Sequence, residues 1–306
     1  MYARYVLSRL VHAVIAVAAI TVVLFFLLRL TGDPTLLIVG PEANPEEIAR
    51  VRTAMGFDRP LPEQFLSYVG HVAGGDFGRS LRYNQSAFSL VLERILPTVE
   101  LAAAALLIAS VIAIPLGVIA AIKRGTVIDR IAILASLLGQ TMPVYWLGLL
   151  LIFAFAVGLR VLPPGGNSEP ASLILPAVTL AAFLAAQITR LMRSAMLETL
   201  GQEYLRTARS KGLTEAAVIR RHALRNAAPP VLTIIALQLG QLIGGAVVTE
   251  TVFAWPGLGQ LLLQAILGRD FPLVQAAVFV VAVSVVAMNL LVDLIYPYVD
   301  PRMRVS

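Results

Sequence analysis

Leu101-Ala-Ala-Ala-Ala-Leu-Leu-Ile-Ala-Ser-Val-Ile-Ala-Ile-Pro-Leu-Gly-Val-Ile-Ala-Ala-Ile122 is a run of 22 residues without a charge, bounded by Glu100 and Lys123. A helix rises about 1.5 Å per residue, so such a run crosses a hydrocarbon layer roughly 30 Å thick, where a central charge is costly. Five more runs of at least 19 residues separate charged positions: 10–28, 131–159, 170–189, 226–249 and 271–292. Composition agrees, with 58% hydrophobic and 14% charged residues among 306 and mean hydropathy +0.83, too apolar for one water-soluble core. The expected fold is an all-α membrane protein with six transmembrane helices. A further uncharged stretch, 251–268, opens Thr251-Val-Phe-Ala-Trp-Pro-Gly-Leu-Gly259 and carries Gln260 and Gln264. Its proline and glycines interrupt both helix and hydrophobicity, and it is read as re-entrant or interfacial.

Six crossings put both termini on one side. Fifteen Lys and Arg residues fall on that side: Arg4 and Arg9, Lys123, Arg124 and Arg130, eight from Arg190 to Arg225, then Arg302 and Arg304. The other side has nine, seven of them in one long segment that the positive-inside rule discounts. The termini are therefore expected to be cytoplasmic. The net charge of +6 is mostly topological, and no nucleic-acid partner is expected. Arg4 and Arg9 before an apolar stretch also describe a signal peptide, but 19 uncharged residues without a small-residue cleavage site suit an uncleaved first span better. The absence of cysteine excludes disulfides, thiolate metal sites and a cysteine nucleophile.

The chain divides into residues 1–30, the N-terminus and first span; 31–94, an extracytoplasmic cap segment; and a core, 95–306. Within the core the spans are expected at about 96–122, 131–159, 172–192, 229–249 and 272–295, with a cytoplasmic loop at 193–228 and an external loop at 250–271. The cap carries Pro45 at a helix N1 position after Asn44, followed by two acids, a start signal that argues for a folded docking or lid element over a solvated linker. In the cytoplasmic loop Leu197, Leu200, Tyr204 and Ala208 recur every three to four residues, so the fourth span is expected to continue as an amphipathic helix. Gly212 should stop it in the left-handed conformation, and Thr214 should cap a second helix running toward Leu224, before Pro229 and Pro230.

Catalytic signatures are lacking. There is no Gly-Lys-[Ser/Thr] phosphate loop and no Gly-x-Ser-x-Gly elbow, and His12, His71 and His222 stand alone without metal-ligand spacing. No enzyme activity, metal or cofactor of its own is expected. Glu100, Glu250 and Asp293 sit at the ends of uncharged runs instead of inside them, which argues against a proton relay. Of the internal polar residues, Gln238 and Gln241, with Thr249 and Glu250, are the candidates for a translocation path, and most others are read as helix packing. Gly240-Gln-Leu-Ile-Gly244 is a small-xxx-small pattern for close helix approach.

Glu203-Tyr-Leu-Arg-Thr-Ala-Arg-Ser-Lys-Gly-Leu213 and Arg221-His-Ala-Leu-Arg-Asn-Ala-Ala-Pro-Pro230 resemble the signature loop of ABC-importer permeases of the dipeptide/oligopeptide/nickel type. The resemblance extends along nearly the whole chain, through Gly32-Asp-Pro34, Gly75-Asp-Phe-Gly-Arg-Ser80, Leu96-Pro-Thr98, Pro143-Val-Tyr-Trp-Leu-Gly148, Glu250-Thr-Val-Phe-Ala-Trp-Pro-Gly-Leu-Gly259, Asn289-Leu-Leu-Val-Asp293 and Asp300-Pro-Arg302. The external segment after the first span is similar to that of the B-type subunit. One departure stands out: the broader permease signature begins Glu-Ala-Ala six residues before its glycine, where this chain has Arg206-Thr-Ala208.

The resemblance implies a type I ABC importer permease fold in a bacterial or archaeal plasma membrane. Its implied partners are a C-type permease, ABC ATPase subunits that hold ATP and Mg, an extracytoplasmic solute-binding protein and the lipid bilayer. Residues matching the coupling signature are Glu203, Tyr204, Arg206, Thr207, Ala208, Lys211 and Gly212. Trp255, Pro256 and Gly257 are candidates for binding-protein docking or an outer gate, with a turn lying in the membrane interface as the equal alternative. The function expected is a permease subunit of an ATP-driven importer for di/oligopeptides or similar small solutes. An ATP-independent secondary carrier or channel is the alternative from another class, and a non-transporting scaffold a remote third.

Overall fold

The computed structural model describes residues 2–30, 35, 44–54 and 58–299. These residues fold as helices joined by turns, and among them the sole strand-like feature is an isolated bridge between Arg79 and Ser86. In chain order they are α1 (Tyr2–Leu30), α2 (Pro45–Ala54), α3 (Leu61–Ala73), α4 (Ala87–Ile122), α5 (Val127–Thr141), α6 (Val144–Leu151), α7 (Ile174–Leu200), α8 (Glu203–Ser210), α9 (Glu215–Ala217), α10 (Leu224–Gly245), α11 (Val247–Val252), α12 (Leu258–Leu267) and α13 (Phe271–Val299). Five helical segments are long and apolar enough to cross a membrane, and α5 with α6 makes a sixth if the bent pair is one crossing.

That bend falls within the third span expected over 131–159. The two helices meet at 103°, because Pro143 has no N–H to donate and forces Met142 into an extended conformation (ψ 124°). The helix that carries the second span begins before residue 96, at Ala87, where Ser86 accepts a hydrogen bond from the Ser89 N–H.

The core forms around α4 and α7, the most extensively packed pair. Without water to drive association inside a membrane, helices gain mainly by close van der Waals approach, which small residues permit. Ala102, Ala105, Ala109, Ala113 and Gly117 recur every three to four residues on α4 and are buried. At Gly117 a Cβ would lie 2.7 Å from Met192 Cβ and 2.8 Å from the Thr189 carbonyl oxygen. The glycines of α10 pack more loosely, Gly240 against Asn289 and Met288, and Gly244 against Val281 and Val285 of α13.

On the opposite side of the chain α1 lies along α13, with Arg9 Nη1 3.2 Å from Asp293 Oδ2. Phe25 of α1 packs edge-on to Phe65 of α3 at 5.1 Å between ring centroids. The Gly75–Ser80 stretch turns through two left-handed glycines, Gly75 (φ 72°) and Gly78 (φ 83°), and lays Phe77 between Phe88 and Phe279. Ser80 Oγ then donates to Asp270 Oδ2, which also accepts from the Arg82 N–H at 3.2 Å. The outer segment is thus fastened to the first turn of α13.

Candidate functional site

The cytoplasmic segment does not continue α7 as one helix. Gly201 and Gln202 (ψ 143°) interrupt it after Leu200, and α8 restarts at Glu203. The interruption resets the helical phase, so the inward residues of α8 are Leu205, fully buried, and Ala208, while Tyr204 is exposed. Leu205 and Ala208 join the same core as Met192 and Met196 of α7, Val218 and Ala223 of the following turn, and Ala227 and Val231 of α10. The amphipathic stripe expected through Tyr204 is corrected accordingly. Leu205, absent from the candidates, is the anchor, and its signal was the reset of register at the glycine.

Of the candidate coupling residues, Glu203, Tyr204, Arg206, Thr207, Lys211 and Gly212 face outward, whereas Ala208 is buried and positions the others. Gly212 is left-handed (φ 78°), with its N–H donating to the Arg209 carbonyl at 2.9 Å. Thr214 has the extended geometry of a helix N-cap, but its side chain makes no capping bond. Instead the turn is closed by Arg209, whose Nε and Nη2 donate to the two carboxylate oxygens of Glu215 at 3.0 and 2.8 Å. That carboxylate holds the guanidinium pKa above its ordinary value. Asn226 Nδ2 donates to the Tyr204 hydroxyl and to the His222 carbonyl, both at 2.9 Å, which ties α8 to α10.

No separate second helix forms before Pro229 and Pro230. The chain is helical without a break from Glu215 to Gly244, with a wider π turn over Val218–Ala223 and both prolines inside the helix. Beyond the prolines the Thr233 hydroxyl donates back to the Pro229 carbonyl at 3.0 Å. The segment after Thr214 therefore enters the fifth span without a helical break. A second link runs to the third: Arg193 donates to Asp129 through Nε–Oδ1 (2.6 Å) and Nη2–Oδ2 (2.9 Å), and the Gly125 N–H adds a third bond at 2.9 Å.

The expected path residues do not form one surface. Gln238 is buried and donates to Gln187 of α7, while Gln241 is exposed. Thr249 and Glu250 are enclosed, at 1% and 0% exposure. Glu250 accepts from the Thr98 hydroxyl (2.6 Å) and from the Gln260 N–H (2.9 Å), so its carboxylate sits at the amino end of α12, where free amides and the helix dipole favour it. Burial, the larger effect, pushes its pKa up against the hydrogen bonds of Thr98, Gln260 and Gly259. Glu250 is a structural clamp in this chain, not an open lining residue. Trp255 is 4% exposed and its Nε1 donates to the Pro97 carbonyl at 2.8 Å. The indole is engaged inside the chain and does not offer its face to a partner. Gly257 is buried against Glu250, and Pro256 is half-buried. Among the described residues no group of three or more His, Cys, Asp or Glu is placed to hold a metal.

Fold and site together define a polytopic helical membrane protein whose segment between the fourth and fifth spans is packed against those spans. The chain belongs to the family described as binding-protein-dependent transport system inner membrane component, which residues 113–305 match. Residues 2–102 match the N-terminal part of the same kind of transport component. It is 38% identical over 334 residues to the dipeptide transport system permease protein DppB of Escherichia coli K12, covering 98% of each chain. A putative peptide permease protein of Brucella suis biovar 1 is 41% identical over 317 residues, covering 99% of each. The glutathione transport system permease protein GsiC of Salmonella choleraesuis is 39% identical over 302 residues, covering 98% of this chain and 99% of that protein. Among solved structures, a chain of the MetNI methionine ABC transporter in an inward-facing conformation superposes with TM-score 0.57 and 21% identity, over 69% of this chain and 96% of that one. That likeness carries the fold.

Proposed function

We propose that this chain is the transmembrane permease subunit of an ATP-driven importer for di/oligopeptides or similar small solutes, in a bacterial or archaeal plasma membrane. It performs no bond chemistry itself. ATP and Mg are held by ABC ATPase subunits that dock on the cytoplasmic segment, a C-type permease completes the pathway, and an extracytoplasmic solute-binding protein delivers the solute. The observation that carries this reading is that α8 presents its polar face outward while Leu205 and Ala208 are built into the core of the spans. A short helix exposed in this way fits a groove of another protein, and a rigid link of this kind converts movement of that protein into helix movement. The relatives named for peptide and glutathione transport support the solute class.

In this mechanism ATP binding closes the partner ATPases and pushes α8 inward. Through Tyr204–Asn226 and the uninterrupted helix from Glu215 the fifth span tilts, and through Arg193–Asp129 the third follows. The spans switch from inward-open to outward-open, and solute enters from the docked binding protein. Gln241, exposed on α10, belongs to the path, and the turn at Trp255, Pro256 and Gly257 shapes the outer mouth from behind by holding Glu250 and Pro97.

The test is purification of the tagged chain from its native membranes, with mass spectrometry of what accompanies it and peptide uptake in reconstituted vesicles. Recovery of a second permease with ATPases, and uptake that collapses on ATP depletion, is the expected result. Recovery of the chain alone, with uptake that follows a proton or sodium gradient, would replace the importer by a carrier.

A further inference from the structure

Between α5, α7 and α10 a cleft of about 500 Å³ is lined by Gln140, Gln187, Arg190, Leu191 and Ile234. We propose that this cleft is a subsite for the carboxylate of the transported solute, with Arg190 as the anion partner and the side-chain amides of Gln140 and Gln187 as partners for an adjacent peptide unit. The proposal rests on the importer reading above and names the chemistry by which this subunit would hold a peptide.

Arg190 and Arg193 stand one helical turn apart at the cytoplasmic end of α7. Arg193 is neutralised by Asp129, whereas Arg190 is exposed and, among the described residues, has neither an ion pair nor a side-chain hydrogen bond. The cleft lining contains one cation and no carboxylate. An unneutralised guanidinium in such a place favours a bidentate anionic acceptor. Gln187 accepts from the buried Gln238 through Oε1, which fixes the amide and leaves its NH₂ to donate. Gln140 is placed by a close approach of its helix, since a Cβ at Gly139 would lie 2.9 Å from the Ala182 carbonyl oxygen.

The cleft opens away from lipid. Ile234 lies on the face of α10 that carries Pro230, Leu237 and Gln241, spaced at three to four residues, all three exposed. An uncovered glutamine within a span belongs to a water-filled or protein-covered face, because hydrocarbon leaves its amide unsatisfied. By contrast α5 and α6 expose Ile131, Leu134, Leu138 and Leu149, and the π-helical turn Ile152–Gly158 that follows exposes Phe153, an apolar surface suited to lipid. A peptide always carries a terminal carboxylate beside an amide, whatever its side chains, so a subsite of this kind accepts many sequences.

The experiment uses the intact assembly in lipid nanodiscs without binding protein, which removes that protein's own selection. Saturation-transfer NMR measures binding of alanyl-alanine and of alanyl-alanine amide, which differ in the carboxylate alone. The wild-type assembly should bind the free acid on the order of tenfold more tightly than the amide. Arg190→Gln should erase that ratio, and Arg190→Lys should restore part of it. Equal ratios in the wild type and Arg190→Gln would overturn the proposal. So would loss of the second permease from purified Arg190→Gln, because Arg190 would then be an interface residue. Failure of the importer reading registers separately, as absence of ATP-driven alanyl-alanine uptake by wild-type vesicles.

Discussion

Arg193 of α7 and Asp129 of α5 are joined by two parallel hydrogen bonds, with the carboxylate far more enclosed than the guanidinium, at 5% against 23% side-chain exposure. The asymmetry sets which half of the pair is costlier to lose. Removing Arg193 leaves a buried carboxylate held by the Gly125 N–H, whereas Arg193 can extend toward water when Asp129 is removed. Arg193→Ala is expected to lower the melting temperature more than Asp129→Ala does. Thermal unfolding of the two variants and of the double variant checks both the order and the coupling.

At Gly212 a Cβ would meet nothing within 4 Å, so the demand for glycine is purely the left-handed φ of 78°. Gly212→Asn, which tolerates that region, should retain transport. Gly212→Val should lose on the order of 1–2 kcal/mol of local stability, and Gly212→Pro should abolish ATP-driven uptake. Uptake rates in reconstituted vesicles, normalised to ATP hydrolysed, separate the three.

Glu250 and Gly257 are interdependent. A Cβ at Gly257 would lie 2.1 Å from Glu250 Oε1, so Gly257→Ala must expel the carboxylate from its place between Thr98 and the amino end of α12. Glu250→Gln keeps the volume but sets an NH₂ against donors. Each change should lower stability by about 1–3 kcal/mol, read as a fall in melting temperature. The double variant should fall by less than the sum, since both act on one clamp.

Tyr204 and Arg209 make polar links of different worth. Arg209–Glu215 is largely exposed, at 38% and 57%, and Arg209→Gln is expected to leave the melting temperature nearly unchanged. Tyr204→Phe removes the bond from Asn226 and should act on coupling more than on stability, lowering solute moved per ATP while leaving the melting temperature nearly unchanged. Leu205→Ala, which empties a fully buried site, should cost about 2–4 kcal/mol and impair both.

The sequence by itself determined the class of fold. Uncharged runs of sufficient length report spans because the bilayer excludes charge wherever the chain later packs, and Gly212 could be read as a left-handed stop because that conformation is a local property of glycine. The segment Glu203–Gly212 was legible through its resemblance to the signature loop of importer permeases. Tertiary structure alone decided what Leu205 packs against, Met192 of α7 and Ala227 of α10, once the break at Gly201–Gln202 had turned it inward in place of Tyr204. It also decided that Glu250 and Trp255 are internal clamps, through partners 152 and 158 residues away. It paired Arg193 with Asp129 across 64 residues, leaving Arg190 beside it as the cation of the cleft. Such pairings follow from how helices meet in three dimensions, and the charge pattern along the chain holds no record of which arginine will find its acid.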